Sequence, residues 1–596
     1  MSFPFLYHGQ TTPWVTLERR KLTLTLATDK TTPYHQVQIR HEPDNEEYFA
    51  AMSVVQETEH LRYWQGEFEL RHDQPLNSYT FKLILEKQQY WLSACGVTKR
   101  MPGQEKHFKI NPDQRPPSWV KHQVFYQIFP DRFCNGKPEI STQDNEYQVA
   151  DERKTIVAKQ WGEPVDNQSG NGGYEFYGGD LYGVEHKLDY LQELGITTLY
   201  LNPIFSSPSN HRYDTMDYYN IDPHLGNNQH FAALCDDIHR RGMKIVLDAV
   251  FNHTSTEHPW FNRLGWHQDT GAYQSSQSRY RDYYFFEGDS QRYIGWKGIR
   301  SLPVLNFENA DVRDAIYQSE DSIIKYWLKP PYNIDGWRFD VIHMLGEGEG
   351  AKNNAHYVKA FRDSAKAVNP NSYVLGEHFF EASSWLQGDQ EDGSMNYYGF
   401  AHPLRALLAN KDIALDPINI TMFEFRDWLA EARAKIPWDN QLAQLNQLDS
   451  HDTPRFFTLL DQNQALFKIA VTFLFTYVGT PCLYYGTEIG MQGGADPDNR
   501  RCMEWDKLQE SQLLPFFKQQ IELRKTRPAL RYGSYIELYC DEACLVFART
   551  CSEDTVLVGI NLSQVEKDVS LSAEQTELLN LSSSKLLIGP VQSLVV

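Results

Sequence analysis

Residues 336–345 read GWRFDVIHML, and this stretch decides how the chain is understood. Trp337, Phe339, Val341 and Ile342 make it apolar and β-prone, the pattern of a buried strand, where charge is costly to hide. Yet Arg338 and Asp340 stand two residues apart, so on a strand both side chains leave by one face. Two readings compete: a structural ion pair, and a carboxylate held beside a fixed cation because chemistry requires it. The flanking sequence separates them.

Around this stretch, strand and helix patterns alternate from Val124 onward. VFYQIF reads as a buried strand, and LYGVEHKLDYLQELG as one amphipathic helix leading into TTLYLNP. FAALCDDIHRRG feeds KIVLDAVFN, DSIIKYWLKPP precedes IDGWRFDV, and NAHYVKAFRDSAKAVNP precedes SYVLGEH. LAQLNQLDSHD follows, and ALFKIAVTFLFTYVGT leads into PCLYYG. Repeated helix-then-strand units imply a parallel sheet, and about eight of them over roughly 400 residues fit a (β/α)8 TIM barrel with long loops. Residues 1–116 differ, with short alternating stretches such as KLTLTLAT and GEFELRH that read as a β-sandwich. After the proline-bearing DQRPPSWV the barrel is expected over 117–530, with an inserted loop subdomain at about 253–310. ELYCDEACLVFART and DTVLVGINLS place a C-terminal β-sandwich at 531–596. The fold class is therefore multidomain α/β. Polar residues 134–176 read as a long surface loop.

Composition narrows the partners. With 57 basic and 78 acidic residues the chain carries −21, which repels a phosphate backbone and argues against nucleic acid. A high aromatic content, 13%, offers flat faces for stacking sugars as well as a large core. No stretch is long and apolar enough for a membrane helix, and MSFPFLYHGQTTPW lacks the pattern of a signal peptide, so a cytoplasmic protein is expected. The eight cysteines form no CxxC pair and are expected to be reduced.

A (β/α)8 barrel assembles its site at the C-terminal ends of its strands. Here those ends are polar. KIVLDAVFNH delivers Asp248, Asn252 and His253, and GWRFD delivers Arg338 and Asp340. SYVLGEH delivers Glu377 and His378, and LNQLDSHD delivers His451 and Asp452. One buried Asp is an ordinary structural residue; four such strand ends are not. The chemistry they suit is glycoside cleavage with retention, in which one carboxylate attacks the anomeric carbon and one carboxylic acid protonates the leaving oxygen. Asp340 is the expected nucleophile, kept ionised by Arg338. Glu377, without a cation two residues away, is the expected acid/base, and Asp452 the expected stabiliser of positive charge in the transition state.

At these residues the sequence resembles the α-amylase superfamily, glycoside hydrolase family 13. Its four signature regions stand in order as DAVFNH (248–253), GWRFDVIHM (336–344), GEHF (376–379) and NQLDSHD (446–452). The β-rich N-terminal module and ADPDNRR resemble the cyclomaltodextrinase, neopullulanase and maltodextrin glucosidase branch, and NIDGWRFDVIHMLGEGEGAKNN is most similar to maltodextrin glucosidases. The resemblance implies Asp340 as nucleophile, Glu377 as acid/base and Asp452 as stabiliser. It places Arg338, His253 and His451 on the reacting sugar, Tyr213 beneath it with Asp214 nearby, and Asp496 with Arg500 at the non-reducing end. His343 and Phe379 fall on the acceptor side. The implied activity is hydrolysis of α-1,4 linkages in maltodextrins with release of glucose. The alternative is cyclomaltodextrinase or neopullulanase action within the chain, with transglycosylation. A non-catalytic relative is disfavoured because all three carboxylates are present, while short motifs leave open a phosphate-dependent or synthase member.

Members of this branch bind calcium through an Asn-Gly-Asp cluster after a DRF or ERF motif. Here DRFCNGKPEI puts Lys137 at the acidic position, and an ammonium is a poor neighbour for a hard cation. No metal and no cofactor are therefore expected, and the family's second calcium position near Asn252 is not carried over. The resemblance allows the N-terminal module either starch binding or pairing of subunits, so a homodimer is one arrangement it permits.

Overall fold

The computed structural model describes residues 3–71, 76–151, 153–168, 170–348 and 351–596. At the N-terminus two antiparallel sheets face each other. The first orders Leu6–Tyr7, Lys21–Asp29, Leu61–Glu69 and Ser53–Glu57, with Val15–Glu18 also paired to Lys21–Asp29. The second orders Gly96–Thr98, Gln89–Ser93, Asn77–Ile84, Gln36–His41 and Tyr48–Ala51, with Phe108–Ile110 also on Asn77–Ile84. Period-two alternation supplies the core between them: Leu22, Leu24 and Leu26 from one sheet meet Ile39, Phe81 and Leu83 from the other, all fully buried.

Eight parallel strands follow: β1 Phe125–Ile128, β2 Thr198–Leu201, β3 Lys244–Ala249, β4 Gly336–Phe339, β5 Tyr373–Gly376, β6 Gly393–Ser394, β7 Leu445–Gln447 and β8 Thr480–Tyr484. Each pairs with its sequence neighbour, β1 pairs with β8, and a parallel bridge between Met395 and Leu445 joins the β6 and β7 ends, so the sheet closes. Helices such as Asn228–Arg240, Asn354–Val368 and Gln464–Thr476 surround it. The expected single helix over LYGVEHKLDYLQELG is two segments, Leu181–His186 and Leu188–Leu194, meeting at Lys187. Buried Leu181, Val184, Leu188, Leu191 and Leu194 keep one apolar stripe across the break, and left-handed Gly195 caps the second segment.

Two loops roof the barrel mouth. Residues 134–176 are anchored by a small cluster of Val149, Ile156 and Phe176. The segment between β3 and β4 carries short helical turns and bridges such as His253–Val304 and Tyr284–Leu305. After the barrel, Ser534–Cys540, Cys544–Thr550, Thr555–Asn561 and Gln592–Val595 form a four-stranded antiparallel sheet, accompanied by the pair Lys567–Ser570 and Lys585–Ile588. Tyr7 is part of the core of this last region, which ties the first strand of the chain to its end.

Candidate active site

Backbone register explains why Arg338 is central. On β4 it stands opposite Asp248 of β3 and Leu375 of β5. Its Nη1 donates to Asp248 Oδ1 at 2.8 Å and to Asp340 Oδ1 at 2.9 Å. Nη2 faces Glu377 Oε2 at 3.1 Å as an ion pair, at an angle too poor for a hydrogen bond. One fully buried guanidinium thus serves three carboxylates.

Asp340 and Glu377 each lie one residue beyond a strand. The Asp340 amide donates to Ala249 O and the Glu377 amide to Phe339 O, which continues the ladder into the site. Val341 follows with φ of +35°, a left-handed conformation that a β-branched residue seldom adopts. That turn aims the Val341 N–H at Glu377 Oε2, 2.8 Å away. Asp452 sits in the loop after β7, where its amide donates to Ser450 Oγ and Arg500 Nη2 approaches its carboxylate at 3.8 Å.

Asp248 organises the floor. It accepts from Tyr200 and Tyr213 hydroxyls, each at 2.8 Å, as well as from Arg338. Gln127 donates to His451 Nδ1, which leaves Nε2 to donate to the Tyr213 hydroxyl at 2.6 Å. Burial, with Arg500 and Arg338 nearby, holds His451 well below its ordinary pKa, so it is neutral. Burial also lowers His253 to about 4, against its bond to the Tyr213 carbonyl. Neutral imidazoles leave the negative charge of the carboxylates to Arg338 and Arg500.

The carboxylates divide that cation unevenly. Burial and the neighbouring Glu377 push Asp340 well above the usual range, which outweighs Arg338. Burial alone would raise Glu377 too, but Arg338 and the Val341 amide hold it below its ordinary value. Asp452 is pushed up to about 7 by burial and by Glu377, against Arg338 and Arg500. These directions run opposite to the protonation expected of Asp340 and Glu377 from the sequence. The premise of that expectation was that Arg338 belongs to Asp340; in the fold Arg338 is shared with Asp248 and Glu377, and the Val341 amide adds a donor to Glu377 alone.

A cavity of about 660 Å3 opens over these groups, lined by Asp340, Glu377, Asp452, Tyr213, Asp214, His253, His343, Phe379, Asp496 and Arg500. Arg338 and His451 lie beneath its surface, where they hold the lining residues. Asp214 is engaged by the hydroxyls of Ser207 and Ser209, and burial brings it to about 6. Arg500 pairs with Asp496 at 2.9 Å. Phe379 stacks on Tyr397 at 4.4 Å. Sequence reading missed Tyr174, His211, Trp296, Lys297 and Trp385, which also line the cavity, and named His378 as a polar strand end without giving it a role. His378 alone had a signal, its place beside Glu377; the others come from loops without periodicity.

The residues after DRF do not fit a calcium ion. Asp180 is occupied by the amides of Gly136, Lys137 and Gly183, and the Lys137 ammonium lies 4.7 Å over the Tyr182 ring. Near Asn252, the side-chain amide is spent on the His253 ring. No group of three or more ligating side chains with metal geometry occurs among the described residues.

A closed parallel barrel with carboxylates converging from β4, β5 and β7 defines a glycoside hydrolase. Comparison with known proteins gives the family. Residues 127–533 match the family model for the alpha amylase catalytic domain, and the chain belongs to that family, as a retaining α-glycosidase. It is 35% identical over 491 residues to a cyclomaltodextrinase of Geobacillus thermopakistaniensis (80% of this chain, 76% of the relative). It is likewise 35% identical over 470 residues to neopullulanase 2 of Thermoactinomyces vulgaris (77% and 72%). A solved cyclomaltodextrinase superposes with a TM-score of 0.72 at 29% identity, covering 99% of both chains.

Proposed function

We propose that the chain hydrolyses α-1,4-glucans, maltodextrins and cyclodextrins, in the manner of cyclomaltodextrinases and neopullulanases, with Asp340, Glu377 and Asp452 as its catalytic carboxylates. The observation that carries this reading is the convergence of the three on one cavity around Arg338. The names of relatives aligned over about four-fifths of the chain favour this substrate range over a glucose-releasing maltodextrin glucosidase. The glucosidase reading keeps one support, the Asp496–Arg500 pair on a lining shared with Tyr174 and His211, which suits a chain end.

Asp340 attacks the anomeric carbon while Glu377 protonates the departing oxygen; Glu377 then takes a proton from water, whose oxygen displaces Asp340. One proton serves the pair. Burial and Glu377 raise Asp340 while Arg338 and the Val341 amide lower Glu377, which favours that proton on Asp340. A bound glycoside brings an ether oxygen to Glu377 as a new acceptor and takes water away from both groups, so the proton crosses to Glu377 and frees Asp340 to attack. Asp452, ionised, opposes the positive charge that develops on the ring. The Asp180 clasp replaces a metal in holding the 134–141 loop, so no calcium is required.

A Bacillus subtilis relative named intracellular maltogenic amylase supports a cytoplasmic setting, and no helix among the described residues is long and apolar enough to cross a membrane. Product analysis on β-cyclodextrin and maltoheptaose tests the function. Ring opening with maltose dominating is expected. Glucose from the first turnovers, with cyclodextrin untouched, selects the glucosidase instead.

A further inference from the structure

Behind Glu377 lies a second buried carboxylate that the hydrolysis above does not use. Glu391 is fully buried, and both its oxygens meet His378 Nε2, at 2.8 and 3.0 Å. The place is built for it: a Cβ on Gly376 would lie 2.1 Å from Glu391 Oε2, so glycine is what admits the carboxylate beneath the end of β5. A carboxylate buried there without a partner is costly, and His378 supplies the partner.

A purely structural pair needs no opening, but His378 lines the catalytic cavity. Its ring lies 4.3 Å from Trp385 and 5.6 Å from His343. Trp385 donates to Asn354 Oδ1, and the Asn354 amide holds the carbonyls of Ile342 and Leu345. One network thus joins His378 to the loop that follows Asp340. With Nε2 committed to Glu391, Nδ1 is the ring's remaining polar atom, and it makes no hydrogen bond among the described residues. A general acid must stand at the leaving oxygen. Its chain neighbour His378, set between His343 and Trp385 on the cavity wall, therefore faces the leaving-group side.

We infer that His378, fixed by Glu391, accepts a hydrogen bond at Nδ1 from a hydroxyl of the leaving or acceptor sugar and thereby orients that sugar toward Glu377. His378 is then a specificity residue, and Glu391 a positioning residue that acts through it. The inference rests on the hydrolase reading. A site that hydrogen-bonds a substrate hydroxyl discriminates against a group lacking one far more than a site that merely fills space.

The test compares maltotriose with α-maltosyl fluoride, whose leaving group carries no hydroxyl, for wild type, His378→Ala, His378→Gln and Glu391→Gln. Turnover of maltotriose by the wild type establishes the hydrolase reading independently of the variants; a wild type inert on both substrates removes that reading and this inference with it. For His378→Ala, kcat/KM on maltotriose is expected to fall on the order of 10- to 100-fold, and on the fluoride by less than about 3-fold. Glu391→Gln shows the same selective loss at smaller size, and His378→Gln recovers part of it. Equal losses on both substrates, or none on maltotriose, overturn the inference. Should His378→Ala fail to fold, the two size-conserving variants decide on the same criterion.

Discussion

Arg338 holds Asp248 and Asp340 through one nitrogen and Glu377 through the other, so its removal strands three buried carboxylates. Arg338→Leu is expected to cost about 3–5 kcal/mol in denaturant unfolding at pH 8. The loss shrinks toward pH 5, where protons replace the missing cation. Asp452 acts in the opposite sense. Its folded value of about 7 exceeds that of an unfolded Asp, so the native state binds its proton more tightly. The group is therefore neutral to stability at low pH and increasingly costly as pH rises from the unfolded value through about 7. Asp452→Asn is expected to raise the melting temperature by about 1–3 °C at pH 8 and by less at pH 5, while activity is lost. An unchanged or lowered melting temperature at pH 8 contradicts this account. For the wild type, kcat/KM should decline as pH drops through about 7, since Asp452 must be charged to stabilise the transition state.

At the scale of elements, the site depends on where strands stop. β4 and β5 end one residue before Asp340 and Glu377, and the left-handed Val341 turns an amide into the gap between them. Gly376→Ala drives a methyl group into Glu391 and must shift the end of β5. A displacement of this kind is expected to lower kcat on the order of 100-fold with KM little changed. Loss of folded protein would also lower the apparent kcat at unchanged KM, so kcat is taken per titrated active site; a per-site kcat equal to that of the wild type contradicts the displacement. Strands β2 to β5 and β8 were legible as apolar runs after a helical period, β1 as an apolar run after the proline-bearing boundary, and β7, Leu445–Gln447, from the polar motif that follows it. β6 was not: two residues, Gly393 and Ser394, carry no pattern, and only the closed sheet demands them. Asp340, Glu377 and Asp452, which line one cavity, were legible as acidic residues at the ends of strand patterns. Their proton distribution was not, since the sharing of Arg338 with Asp248 arises from register between strands 90 residues apart.

Across the whole molecule, loops from distant parts of the chain complete the cavity, with Tyr174 from one and Trp296 and Lys297 from another. Neither loop has periodicity, which is why substrate range was the part of the function that sequence patterns did not convey. The organisation into β-rich ends and a central barrel was visible, because periods of two and of 3.6 alternate along the chain. After the DRF motif Asp180 gathers the amides of Gly136, Lys137 and Gly183, and the Lys137 ammonium packs over the Tyr182 ring. Dialysis against a chelator is therefore expected to leave both activity and melting temperature unchanged; recovery that requires added calcium contradicts the clasp. All eight cysteines are free thiols, so a reductant should not alter the melting temperature either. The central claim is that Asp340, lifted above its ordinary range by burial and Glu377, becomes the nucleophile once Glu377 takes the shared proton. It is tested most directly by trapping the glycosyl-enzyme with a 5-fluoro-α-glycosyl fluoride and mapping the label by mass spectrometry. One glycosyl unit on the peptide carrying Asp340 is expected, absent from Asp340→Asn; a label on Glu377 or Asp452 contradicts the account.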